Sequence, residues 1–282
     1  MSGLRNFDYG VVGVVVAVLL IGLAVAVTVM IKTVYVPTWV EQREAAHMEE
    51  VSNQFIQLKC VLDIQSLMEQ KTAVSSPITL GNEEIPVFGL GKTFDSLEIL
   101  PGECNISIQN ATGKFFSFSV GSIKYSSGNS YFVDQDFIYE AGAVILCQYP
   151  RNMLIGKPSF VVTNYTNLSF TIVNVSGVNG KMFISGHGTY PLHSVYVSSD
   201  NVGVVDNVTE IRVESAYLNS WCMAFNSTLA ESNCGLDYEI KDDGEAVIVN
   251  FDLDNDGYPD VENHLYLRIV KIFIQVTPGW VE

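Results

Sequence analysis

Basic residues are scarce in this chain. Its 282 residues hold 15 Lys and Arg against 31 Asp and Glu, for a formal charge of −16. Such a surface repels nucleic acid, so a nucleic-acid partner is not expected. There is no glycine-rich phosphate-cradling loop, no His-Glu-x-x-His pair and no Gly-x-Ser-x-Gly elbow. His47, His187, His193 and His264 stand apart, and His187 between two glycines reads as a turn residue. No enzyme is expected. The five Cys form no Cys-x-x-Cys pair, which argues against a zinc ribbon or a thioredoxin-type site. Cys222 and Cys234 are close enough for a small disulfide loop; buried free thiols are the alternative, and an odd count leaves one thiol over in any pairing.

What the chain does have is an uninterrupted apolar run. Val11 to Ile31 carries no charge, and Val, Leu or Ile fill 14 of its 21 positions. At about 1.5 Å per residue such a helix is roughly 31 Å long, enough to cross a bilayer core. The run exceeds the apolar part of a secretory signal and no A-x-A-like site follows it, so an uncleaved anchor is expected. Arg5 precedes the run, partly offset by Asp8, and Lys32, Glu41, Arg43 and Glu44 follow. The charge bias slightly favours a cytoplasmic N-terminus and a C-terminal part outside the cell. Gly13 with Ala17, and Gly22 with Ala26, are small-xxx-small pairs that let helices approach closely in lipid; simple lipid exposure is the alternative.

Beyond the run, Asn-x-Ser/Thr sequons begin at Asn105, Asn110, Asn164, Asn167, Asn174, Asn207 and Asn226. That is seven, where 19 Asn with this Ser and Thr content would give roughly two or three by chance. They mark candidate glycosylation sites. Pro37 can kink a helix or open a new one. From Thr38 to about Lys71 the period is helical, with Val51, Phe55, Leu58 and Leu62 on one stripe. Glu44, Asp63 and the other carboxylates are expected on a solvated face. The stripe is buried either on this chain's own sheets or on a neighbouring subunit.

From Ser75 onward, short β-branched and aromatic runs alternate with Gly, Asn, Ser and Asp. Strands are expected at Phe94–Leu100, Phe115–Tyr125, Tyr131–Tyr139, Ala143–Cys147, Ser159–Thr163, Leu168–Val175, Ser194–Ser198, Val208–Ser215, Ala246–Asp252 and His264–Val276. One short helix is expected at Tyr217–Glu231. The fold class is therefore α+β: a long N-terminal transmembrane and amphipathic helix, then a mainly antiparallel β-sandwich-like domain. The expected division is 1–10 a short cytoplasmic or leader segment, 11–31 the span, 32–72 an amphipathic extracellular helix and 73–282 a β-rich extracellular domain, with a weak break near 152–157.

One loop carries chemistry of its own. Asp252, Asp254 and Asp256 match the first, third and fifth ligand positions of an EF-hand-like calcium loop. Gly257 matches the turn position, Tyr258 offers its carbonyl and Asp260 sits at the ninth position. Asn263 stands where a bidentate Glu would complete the motif. A structural calcium is one reading of it, and no other cofactor is expected. The alternative is turn chemistry joining two strands, because Asn-Asp-Gly favours hairpins.

A single apolar helix, continued as an amphipathic helix supporting a β-rich head, resembles the type IV pilin plan. The segment from Val34 to Lys59 resembles the post-membrane helix of archaeal pilin-like surface proteins. The stretches from Ser130 to Leu146 and from Ser220 to Leu229 resemble their head domains. The first ten residues depart from the pilin pattern in carrying no Lys/Arg-Gly peptidase site. The resemblance implies a non-catalytic, membrane-anchored cell-surface protein, glycosylated and acting in surface assembly or adhesion. Its partners would be lipid, further copies or other pilin-like subunits. The alternative is a monomeric anchored module that binds a solute or glycan.

Overall fold

The computed structural model describes residues 4–81, 93–178, 182–232 and 234–276, with side chains described from Val12. Helix α1 covers Leu4–Met30, a π-helical turn covers Ile31–Tyr35, and α2 covers Val36–Met68. The axis is thus helical through residue 68. Pro37 opens α2 without breaking it. A proline lacks an N–H and crowds the carbonyl four residues back; the wider π turn just before it takes up that misfit. At its far end α2 stops on Glu69, in the left-handed region at φ 53°. Arg268 donates to the carbonyl of Ser66 and pairs with Glu69, placing a cation at the negative end of the helix.

The strands build two sheets. Five of them are β1 (Val74–Leu80), β7 (Ser159–Thr163), β8 (Asn167–Gly177), β10 (Gly188–Asp206) and β14 (His264–Val276), in the order β1-β10-β14-β8-β7. The second sheet holds β2 (Asp95–Asn110), β3 (Phe115–Ser126), β4 (Asp136–Glu140), β5 (Ala143–Gln148), β6 (Arg151–Gly156), β9 (Phe183–Gly186), β11 (Val208–Glu214), β12 (Glu239–Asp242) and β13 (Ala246–Asn250). Its order is β12-β13-β11-β2-β3-β4-β5-β6, with β9 beside the start of β2. Pairing is antiparallel except between β14 and β8. Helix α3 (Leu218–Glu231) is the short insertion. The fold is α+β, as expected, with the sheets curled around two cores.

The same strands feed both cores with opposite parity. Leu168, Phe170 and Ile172 of β8 join a core that includes Trp221 and Phe225 of α3, whereas Val173 and Val175 join the core under α2. Strand β14 divides likewise, with Leu265, Leu267 and Ile269 on one side and Val270, Ile272, Ile274 and Val276 on the other. Successive side chains of a strand point to opposite faces, so each part of these strands alternates buried apolar with more polar or exposed residues, and the phase shifts by one where the covered face changes, at Ile172–Val173 and at Ile269–Val270. The stripe Val51, Phe55, Leu58 and Leu62 packs into the second core, with Met48, on this chain's own sheets. By contrast, all the side chains described from Val12 to Met30 are exposed. This helix is long and apolar enough to cross a membrane, and it is the one such candidate among the described residues.

Several expected elements differ. Only Asp136–Glu140 of the run from Tyr131 is strand, because the residues before it loop back to α2. The stretch 152–157 is no break, since most of it lies in β6, paired with β5. The acidic loop is not a hairpin either: β13 and β14 belong to different sheets, so residues 251–263 cross between them.

Candidate functional site

The junction between α2 and the head is held by buried polar groups. Glu44, expected in solvent, is 0% exposed. Its Oε1 accepts the amide N–H of Ser130 at 2.8 Å, and its Oε2 accepts those of Tyr131 and Phe132 at 2.8 and 2.7 Å. Three convergent backbone donors replace the water a carboxylate needs, which is why burial is tolerated here. One turn on, His47 is buried and its Nε2 lies 3.0 Å from both Asp95 Oδ2 and the Tyr125 hydroxyl. Asp95 also accepts the Tyr125 hydroxyl proton and the N–H groups of Gly81 and Gly128. Burial by itself would raise the Asp95 carboxyl; the donors His47, Tyr125, Gly128 and Gly81 together outweigh it and hold the carboxyl below its ordinary value. Gly81 has φ +55°, and a Cβ there would meet the Thr93 carbonyl, so the close approach to Asp95 requires glycine.

Farther along, Gln54 accepts the N–H of Thr79 at 2.8 Å and donates to its hydroxyl at 2.9 Å, covering an amide on edge strand β1. Gln65 donates to the carbonyls of Thr72 and Ser194, both at 3.1 Å. Asp63 is half-buried beside Lys59 rather than solvated; burial raises its carboxyl, and the hydrogen bond and charge of Lys59 oppose that. None of these residues drew notice as a site in the sequence. His47, Asp95 and Tyr125 lie 48 and 30 positions apart, and only the packing of α2 on β2 and β3 brings them together.

A groove of about 400 Å³, lined by Arg43, His47, Glu50, Thr79 and Thr189, opens beside this cluster. His47 Nε2 is directed at Asp95 and Tyr125. The arrangement does the work of a fastener between helix and sheet.

A further buried carboxylate lies near α3. Glu140 Oε1 accepts Ser215 Oγ at 2.7 Å and Trp221 Nε1 at 2.8 Å. Burial raises its carboxyl above the ordinary value, against the hydrogen bonds of Ser215, Trp221 and Cys104. Burial likewise pushes the Cys104 thiol well up, helped by Glu140. Cys222 and Cys234 are both free thiols in this structure, and Cys234 donates to the Leu229 carbonyl at 3.3 Å. Burial, with Asp242 adding to it, also raises the Cys222 thiol, which disfavours the thiolate that disulfide formation needs.

Asp252, Asp254 and Asp256 do converge, with one oxygen of each within 4.8 Å of the others. Asp260 is outside that group and accepts the N–H of Leu253 at 2.6 Å. The N–H of Tyr258 donates to Asp256 at 2.8 Å. Asn263, at the missing twelfth position, is fully buried and bonds both the N–H and the carbonyl of Val208, at 2.7 and 3.0 Å. Its amide pins the loop's end to β11, which explains the absence of a carboxylate there.

The sequons divide by environment. Asn105, Asn164 and Asn226 are exposed, and Asn167 and Asn207 are half-buried. Asn110 is 7% exposed and holds its own turn by accepting from Thr112 and Lys114. Asn174 bonds Gly121 and Ser119 across the two sheets. In α1 the two small-residue pairs do not form one stripe. Gly13 and Gly22 are separated by about two and a half turns, which places the pairs on opposite sides.

Compared with family models, curated proteins and solved structures, the chain matches none.

Proposed function

We propose that this is a non-catalytic, pilin-like protein anchored in the cell membrane by α1, its N-terminus cytoplasmic and its β-rich head outside, acting in surface assembly or adhesion. The observation that carries the reading is the single helical axis. Its first half exposes a wholly apolar surface, while its second half is fastened into the head through Glu44, His47 and Gln65. Further support comes from the acidic surface and the excess of sequons. Mass spectrometry of the native N-terminus and assay of sheared surface material test it. Recovery in the sheared fraction is expected, with Val11–Ile31 retained in the mature chain. An intact chain that leaves the membrane without detergent overturns the anchor. Glycans are expected at Asn105, Asn164 and Asn226, and absent from Asn110 and Asn174, whose amides are engaged; site-resolved glycopeptide mapping checks this.

A structural calcium ion at Asp252, Asp254 and Asp256 is a second part of the proposal. Three hard oxygen donors within 4.8 Å suit that ion. It would tie the crossing between the sheets. Titration to millimolar calcium should raise the melting temperature of the native chain and leave Asp254→Asn unmoved; no shift in the native chain removes the ion from the account.

A further inference from the structure

Tyr35, Trp39 and Arg43 follow one another at four-residue steps, so they share one side of the helix just past α1. Tyr35 and Trp39 are 44% and 45% exposed, with ring centroids 6.1 Å apart. Trp39, Gln42, Arg43 and Ala46 line an open groove of about 410 Å³. Arg43 makes no ion pair or hydrogen bond with any described residue. In a chain of net charge −16, an uncommitted cation beside two exposed aromatic rings stands out. Val36 is the first buried residue of the helix, so the folded head begins there and the acyl chains can rise no farther than the turn below it, while Trp39 and Arg43 stay exposed.

The length of the helix sets a conflict. If Val11–Ile31 filled the hydrocarbon core, Trp39 would stand about 12 Å beyond it, past a headgroup layer of about 5–8 Å. Sliding the helix inward by about one turn places Tyr35 at the hydrocarbon edge and Trp39 among the headgroups, where such rings concentrate. Lys32 then lies just inside the edge, and its stem is long enough to carry the ammonium out to the headgroups. Helical side chains lean toward the N-terminus, which points Trp39 and Arg43 back at the bilayer. The guanidinium fork fits a phosphodiester oxygen pair.

We infer that Tyr35, Trp39 and Arg43 form an interfacial seat, with Arg43 on a lipid headgroup phosphate, which sets the depth of the helix one turn deeper than the apolar run alone implies. The inference rests on the reading of α1 as a span. The test uses the full chain in nanodiscs whose lipids carry bromine either near the headgroup end of the acyl chain or near its tip. Subtracting the fluorescence of Trp39→Phe isolates Trp39. Shallow bromine should quench that component at least twofold more than deep bromine, and Arg43→Glu should reduce the quenching. An unquenched Trp39, stronger quenching by deep bromine, or indifference to Arg43→Glu overturns the seat. Leu20→Trp, in the Trp39→Phe background, separates the two readings. If it is quenched by deep bromine while Trp39 is quenched by neither bromine, the seat alone fails; if it is itself unquenched, the span fails as well.

Discussion

The two halves of the long helix make opposite use of the same backbone. In α1 every described side chain from Val12 on is exposed and no acid or base interrupts it from there to Met30. In α2 the buried side carries Glu44, His47 and Gln65 beside Val51, Phe55, Leu58 and Leu62. The first half needs a solvent that accepts apolar surface. The second brings its own polar partners from the sheets. A helix buried by protein can thus include a carboxylate, provided that backbone donors are built to meet it. One buried by lipid has no such supply.

The largest break in this comparison should come from Phe55, which packs against Tyr125 and Phe137. Phe55→Ala should cost about 3–5 kcal/mol in chemical denaturation of the head, while Leu20→Ala in α1 should change it by less than about 0.5 kcal/mol. Next is Glu44→Ala, which leaves three amides without their acceptor and should cost about 2–4 kcal/mol. Hydrogen exchange at Ser130–Phe132 should accelerate in that variant, and Glu44→Gln should lose less because one oxygen still accepts.

Asp95 and Glu140, two of the buried carboxylates, sharpen the contrast through pH. The Asp95 carboxyl is lowered on folding. Its stabilisation is therefore present above the unfolded value of about 3.9 and lost as pH falls through the lower folded value. Asp95→Asn should be less stable at neutral pH and should flatten that acid limb in melting curves between pH 2 and 6. The Glu140 carboxyl is raised. Its contribution is full below about 4.3 and lost as pH rises through the higher folded value. Glu140→Gln should show the smallest effect: a melting temperature that gains on the native chain as pH rises above the acid range.

The apolar N-terminal helix, the apolar stripe of α2, α3 and most of the strands were legible because each rests on the pattern of neighbouring residues. The tight strand β4 was partly hidden: Tyr131 and Val133 have strand-forming side chains, yet their segment leaves the sheet to supply amides to Glu44. Glu44 itself was misplaced because a carboxylate on an amphipathic helix normally seeks water, and nothing near it in sequence signals the donors of residues 130–132. His47 stood alone for the same reason. The acidic loop was legible as a donor set, but its partners β13 and β14 were not legible as members of different sheets, since an Asn-Asp-Gly turn suits a hairpin equally well.

By itself, the sequence determined that one end of this chain is an apolar helix and the other a strand-rich head, because hydrophobic periodicity is a property of neighbours along the chain. Tertiary structure alone decided which polar residues are buried, since a buried charge depends on donors that arrive from distant strands. It also decided that one set of strands serves two cores, because which face of a strand is covered depends on what folds over it.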